Sequence, residues 1–444
     1  MQCRTAIIEA GRGLARAARQ VVSRRWALLV LVAIISAWGS RNTVGVGLAL
    51  DQNRAAEEWH RDYDLMLIHD GLEDVPRLGD TWRWWTGTWV GQVPFWRPLT
   101  SYAFWLQWRL FGWEHRAYWH YTQAGLHVAA CICLFLVLES VTGGPWAGLV
   151  MLLVANIGQV WFGSQLYLPR GAVPCNLVVH WKDQPDQWMA VCLFLSALCA
   201  LRGRLVLAAA LAVLAAGFKE TGFTAFPLVV AFYWFRFRRF PRVLAVTVLV
   251  GAATACVRWR AVGFGYAMGS NVHWAYRMAT FAAAGPVADL STPLGSWSIV
   301  GVFAAIAVVL RRIRWAAYGA VVTGLLAGWV ISLLWFAQTD GAGWDVALFR
   351  QMDVRPLATV GGCAFLWTLL AYAGLRGRCR GGVVLLAGAA LLTGLPATMA
   401  PQVQPHAYYV SRLFVWSLFA VCLLSLGDAL RPSPTASPHT RREP

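Results

Sequence analysis

The stretch DYDLMLIHDGLEDVPRLGDTWRWWTGTWVGQVPFWRPLTSYAFWLQWRLFGWEHRAYWHYTQAGLH, residues 62–127, is the long polar interval between the first two apolar segments of the chain. It opens on Asp62-Tyr63-Asp64 and centres on Trp96-Arg97-Pro98-Leu99. Almost everything outside it is apolar, helix-forming sequence. The 444 residues are 58% hydrophobic and only 13% charged, with a mean hydropathy of +0.52, which excludes an ordinary soluble domain. The chain therefore reads as an all-α, multi-pass integral membrane protein, and residues 62–127 are where polar chemistry has room.

Working outward, residues 1–25 are polar and basic, with Arg4, Arg12, Arg16, Arg19, Arg24 and Arg25, and precede a first apolar run, Trp26–Ser40. Further runs follow at Tyr118–Leu138, Pro145–Phe162, Gln187–Leu201, Leu205–Ala216, Gly222–Phe235, Val243–Val262, Gly295–Leu310, Trp315–Ala337, Leu357–Leu375, Val383–Ala400 and Leu413–Leu426. Taken as spans of ~20 residues, they give about twelve crossings, several of them short. Alternate connections are basic: Arg202 and Arg204; Arg236, Arg238, Arg239 and Arg242; Arg311, Arg312 and Arg314; Arg376, Arg378 and Arg380; then Arg431, Arg441 and Arg442. The turn from Glu139 to Gly144 is the exception. By the positive-inside rule this alternation puts both termini in the cytoplasm and assigns the net charge of +17 to topology, not to nucleic acid. The expected domains are a basic cytoplasmic segment 1–25, a transmembrane domain 26–427 with its first outer loop at 41–117, and a disordered cytoplasmic tail 428–444. No soluble domain is expected beyond these.

The other connections then share the opposite face. They carry Asp62, Asp64, Arg97, Lys182, Asp183, Lys219, Glu220, Arg277, Asp345, Arg350, Asp353, His406 and Arg412. Of 38 basic residues only Lys182 and Lys219 are lysines, and each is followed at once by an acid. Ionisable groups gathered beside hydrocarbon mark a functional site. A carboxylate at Asp62 or Asp64 can serve as a general base, although acids also suit a helix start. Trp82, Trp85 and Trp89, and again Trp105, Trp108 and Phe111, predict amphipathic helices lying at the membrane interface. Pro98 should open the second of these helices and leave Arg97 at its mouth, where a guanidinium can grip a phosphate. His120, Gln123 and His127 form one polar line down the second span, read as hydrogen-bonded packing groups. Lys182-Asp183 and Lys219-Glu220 can also be anchors with internal ion pairs. Cys131, Cys133, Cys192, Cys199, Cys256, Cys363 and Cys422 lie in apolar runs without paired or metal-like spacing and read as small hydrophobes.

Arg97-Pro98-Leu99, then Trp119-His120 with Gln123 and His127, then Lys182-Asp183, then Lys219-Glu220-Thr221 followed by Pro227, resemble in order the membrane core of the transmembrane and tetratricopeptide-repeat O-mannosyltransferases and their bacterial relatives. These belong to the GT-C glycosyltransferases. The resemblance covers roughly residues 62–233. It implies a GT-C-like helical bundle and an enzyme that moves a sugar, mannose or similar, from a polyprenyl-phosphate donor with inversion, on the extracytoplasmic face. It also implies that Asp64 or Asp62 is the catalytic base and that Arg97, Lys182 and Lys219 meet the donor phosphate. His120, His127, Asp183, Glu220, Arg350 and Arg412 support them. Tyr63 splits the family's adjacent acids, Trp119 stands for the usual Tyr, and Gln123 for the usual Asn. The expected partners are the lipid-linked donor, membrane lipids and an acceptor that the sequence does not identify, in a bacterial inner membrane. A cofactor or divalent metal is not indicated. The rival reading is a transporter or flippase of a lipid-linked or small polar substrate, and a third is an inert membrane scaffold.

Overall fold

A computed structural model describes residues 25–53, 63–90, 95–113, 115–153, 155–156, 184–263, 374–398 and 409–430. All regular structure among them is helical. In chain order the helices are α1 (Arg25–Asn53), α2 (Tyr63–Glu73), a 3-10 turn (Leu78–Trp82), α3 (Arg83–Thr86), α4 (Pro98–Phe111) and α5 (Arg116–Thr142). Then come α6 (Gln184–Leu201), α7 (Leu205–Phe218), a second 3-10 turn (Glu220–Thr224), α8 (Ala225–Phe237), α9 (Pro241–Val262), α10 (Arg380–Thr398) and α11 (Tyr409–Leu430). Residues 146–153 are also helical. The expected segments Gly295–Leu310 and Trp315–Ala337, and all but the end of Leu357–Leu375, lie outside the described residues.

Two helices are long and apolar enough to cross a membrane, Ala117–Thr142 and Arg242–Val262. Leu205–Phe218, Arg380–Gly394 and Tyr409–Ser425 are apolar but shorter. Several expected boundaries move. The first helix does not stop at Ser40: Arg41 continues it with its guanidinium 3.6 Å over the Trp38 ring, and the apolar, proline-free sequence beyond stays helical to Asn53. Likewise α11 runs to Leu430, past the expected start of the tail at 428.

The packing core is made by α6 and α7. Most of α6 is buried, and α7 presents Ala208, Ala209, Ala212, Ala215 and Ala216, all buried. Alanines at this spacing let two backbones approach closely and gain dispersion contacts. Ser196 in α6 donates to Ala208 O at 2.7 Å and fixes the register of the pair. Around this pair, α5 packs on α1 and α6, α8 on α6 and α7, and α10 on α11.

Close approaches define the two ends of the bundle. Gly203, before α7, lies against Phe237 at the end of α8, so these helices form a hairpin with Arg202, Arg204, Arg236 and Arg238 at one end. Gly381 touches Phe235, Gly382 touches Val141, and Arg25 pairs with Glu139 at 3.0 Å, which brings the arginines of 376–380 and the start of α1 to that end as well. Lys219 and Glu220 sit at the opposite end of the hairpin. A leucine at Ala212, which is fully buried, should overpack the α6–α7 seam and cost about 1–3 kcal/mol. Thermal unfolding in detergent checks this, with Val206→Leu on the exposed side expected to match wild type.

Candidate functional site

The hairpin between α7 and α8 turns on Lys219. Phe218 ends α7, Lys219 is extended (φ −154, ψ 147), and a 3-10 turn then leads into α8. Gly222 makes the turn possible, because a Cβ there would overlap Ala215 O. A turn inside apolar helices frees backbone groups that need partners. Thr100 of α4 donates to Phe218 O at 2.5 Å, while the N–H of Gly222 donates to Lys219 O at 2.8 Å. Leu99 packs onto Gly217, where a larger residue would push α4 away. The Arg97-Pro98-Leu99 stretch is thus docked on the Lys219-Glu220 turn across more than a hundred residues of sequence.

Two crossed ion pairs complete the junction. Arg97 Nε donates to Glu220 Oε2 at 2.9 Å, and Lys219 Nζ donates to Asp186 Oδ2 at 2.6 Å. Lys219 and Asp186 are 8% and 1% exposed, whereas Arg97 and Glu220 keep 12% and 18%. Lys219 does not pair internally with Glu220, as the sequence allowed. Its extended backbone sends neighbouring side chains to opposite sides, so each finds its partner on another element. Both cations are therefore already matched by an acid. Each pair leaves one carboxylate oxygen open: Glu220 Oε1 and Asp186 Oδ1 are buried without a hydrogen-bond partner among the described residues. Gln187 Oε1 is in the same condition. Each unfilled acceptor costs about 1–3 kcal/mol.

Arg97 stands on an aromatic platform. Its Cζ lies 4.1 Å from the Phe95 ring centroid and 5.0 Å from that of Trp89. As expected, Pro98 opens α4 and leaves Arg97 as its N-cap. The interfacial stripes are not as expected. Gly87 interrupts the helix of Trp82 and Trp85, and Trp89 is buried in a second, smaller core with Trp84, Phe104 and Trp119. Trp105, Trp108 and Phe111 pack partly against the same core, because Trp105 Nε1 is tied to Val75 O at 2.8 Å. The apolar side chains left outward are Leu78, Trp82, Leu106 and Leu110.

The polar line of α5 is buried: His120, Gln123 and His127 are each at most 2% exposed. Asn156 donates its amide to Leu152 O at 3.0 Å, so its oxygen is the acceptor for His127 Nε2–H at 3.0 Å. His127 Nδ1 then accepts from the Tyr409 hydroxyl at 2.8 Å. This neutral tautomer is satisfied on both sides and serves packing, the role the sequence gave it. Arg412 lies one turn after Tyr409 in α11. Asp64 is in α2, while Asp62, Lys182, Asp183 and Arg350 lie outside the described residues. Cys131, Cys133, Cys192, Cys199 and Cys422 are buried free thiols, Cys256 is exposed, and Cys363 lies outside the described residues. Among the described residues no group of three His, Cys, Asp or Glu is placed to hold a metal ion.

Asp186 is the site residue that the sequence reading passed over. It sits in the first turn of α6, where an acid suits the helix dipole, and no adjacent lysine in the sequence marks it. Gln184, beside it, donates to Trp119 O at 2.8 Å and accepts from Gln107 at 2.9 Å, so it ties α6 to α4 and α5. Comparison of the chain with family models, curated proteins and solved structures gives no match.

Removing one member of a buried ion pair strands the other charge. Lys219→Met should therefore cost about 3–5 kcal/mol, and Lys219→Met with Asp186→Leu should recover most of that loss. Unfolding of the three proteins in detergent checks this. Equal losses in the single and double variants would show that the lysine does not serve the carboxylate.

Proposed function

We propose that the chain is a GT-C type membrane glycosyltransferase, moving a sugar such as mannose from a polyprenyl phosphate to an acceptor hydroxyl on the extracytoplasmic face, with inversion. The observation that carries this reading is the meeting of Arg97 with Glu220 and of Lys219 with Asp186 at the end of the bundle opposite the arginine clusters. On this reading the apolar segments make about twelve spans, both termini are cytoplasmic, and the ion-paired end faces outward in a bacterial inner membrane.

The chemistry needs three things. The acceptor hydroxyl passes its proton to the carboxylate of Asp64 or Asp62 as its oxygen bonds to the anomeric carbon. The bond from that carbon to the phosphate oxygen breaks on the opposite side, and its electron pair leaves with polyprenyl phosphate. Positive charge over the departing oxygens stabilises this step. Arg97 is assigned that part, which its hydrogen bond to Glu220 and its place over the Phe95 ring support. Lys219 contributes from beside Asp186, and Lys182 is assigned to the same phosphate by the resemblance.

Purified protein in detergent, given radiolabelled polyprenyl-phosphate sugars and membrane extract as acceptor, should transfer label. Either Asp62→Asn or Asp64→Asn should reduce transfer by about 10²- to 10⁴-fold while the protein stays folded. A buried ionisable pair is also what a transporter places on its substrate path. Movement of labelled lipid across vesicles without transfer, indifferent to both aspartates, would replace this reading with that one.

A further inference from the structure

The tryptophans between residues 89 and 119 use their indole nitrogens unequally. Trp96, Trp105 and Trp119 donate to backbone carbonyls at 3.2, 2.8 and 3.1 Å. Trp89 is 8% exposed, and its buried Nε1 has no hydrogen-bond partner among the described residues. A buried indole N–H normally finds one. The Trp89 ring lies beneath Arg97, and Glu220 Oε1, unfilled and buried, belongs to the carboxylate that holds the same guanidinium. One cation thus meets the ring that carries an unused donor and the carboxylate that carries an unused acceptor. The partial exposure of Arg97 and Glu220 gives a way in.

We propose that Trp89 and Glu220 read the headgroup of a lipid-linked glycosyl phosphate seated on Arg97. The indole N–H donates to a phosphoryl oxygen that the guanidinium also holds, and Glu220 Oε1 accepts a hydroxyl of the attached sugar. This rests on the transferase reading and adds to it a means of discrimination. A bare phosphate satisfies Trp89 and Arg97 but meets the negative charge of Glu220 with no hydroxyl to offer. A neutral sugar satisfies Glu220 but gives Arg97 nothing. The glycosyl phosphate fills both, so the same carboxylate favours the loaded donor and repels the spent lipid after transfer.

The test is equilibrium binding of radiolabelled decaprenyl phosphate and decaprenyl-phosphate mannose to the full chain in lipid nanodiscs. Trp89→Phe keeps a six-membered ring under the guanidinium and removes the indole N–H together with the pyrrole half of the ring. It should weaken both lipids about tenfold or more, as expected for one hydrogen bond to a charged group. Glu220→Gln should lower the preference for the mannosylated lipid over the bare one by about tenfold, with the bare lipid bound at least as tightly as by wild type. Wild-type binding by Trp89→Phe, or an unchanged preference in Glu220→Gln, overturns the proposal while leaving transferase activity standing. Displacement of both lipids by millimolar inorganic phosphate would make a soluble anion the occupant and overturn the headgroup assignment. Failure of the wild-type protein both to bind either lipid and to transfer sugar overturns this proposal and the transferase reading together. If Trp89→Phe does not remain monodisperse, the Glu220→Gln preference decides alone.

Discussion

The turn between α7 and α8 places a lysine and a glutamate at the end of an apolar hairpin, and neither charge can stay there without a partner. Asp186 from α6 answers the first and Arg97, before α4, answers the second. Those two demands draw otherwise distant elements to one point. The arrangement around them is subordinate: Gly222 allows the chain to turn, Gly217 admits Leu99, and Thr100 caps the freed carbonyl of Phe218. The site and the helix packing are therefore the same structural problem solved once.

The protein treats its buried polar groups in two ways. Along α5, His127 has both ring nitrogens matched, by Tyr409 from α11 and by Asn156, whose approach to α1 is possible because Gly39 has no side chain. At the ion-paired end, by contrast, Glu220, Asp186, Gln187 and Trp89 each retain an unfilled hydrogen-bonding atom. Unfilled donors and acceptors at that end are groups that a polar ligand there would satisfy.

The two cores divide the labour accordingly. The larger is aliphatic and alanine-rich, and its close helix contacts make a rigid base. The smaller is built from Trp84, Trp89, Phe104 and Trp119, with Ile68, Leu72, Val75 and Val90, and it holds α2 against the start of α4. Aromatic rings with few rotatable bonds position the Arg97 guanidinium at little entropic cost. Gly71 belongs to this fit, since a Cβ there would collide with Val90 O.

Composition and spacing determined the helical character of the described residues, because apolar segments satisfy their backbone best within each helix. The regular placement of arginines foretold that residues 202–204, 236–238 and 376–380 gather at one end of the bundle, and the proline after Arg97 foretold the start of α4. Neighbouring residues gave no sign of which acid each cation would choose. Lys219 stands beside Glu220 in the chain yet binds Asp186, since an extended backbone turns adjacent side chains apart, and only three-dimensional packing brings α6 within reach. The same holds for the tryptophans. Their spacing suggested a stripe facing lipid, whereas the break at Gly87 leaves Trp82 outward and buries Trp89, and a hydrogen bond to Val75 holds Trp105 half-buried. Periodicity along a helix is a local property legible in sequence; the partner of a buried charge is set by which helices meet, and that belongs to the tertiary structure alone.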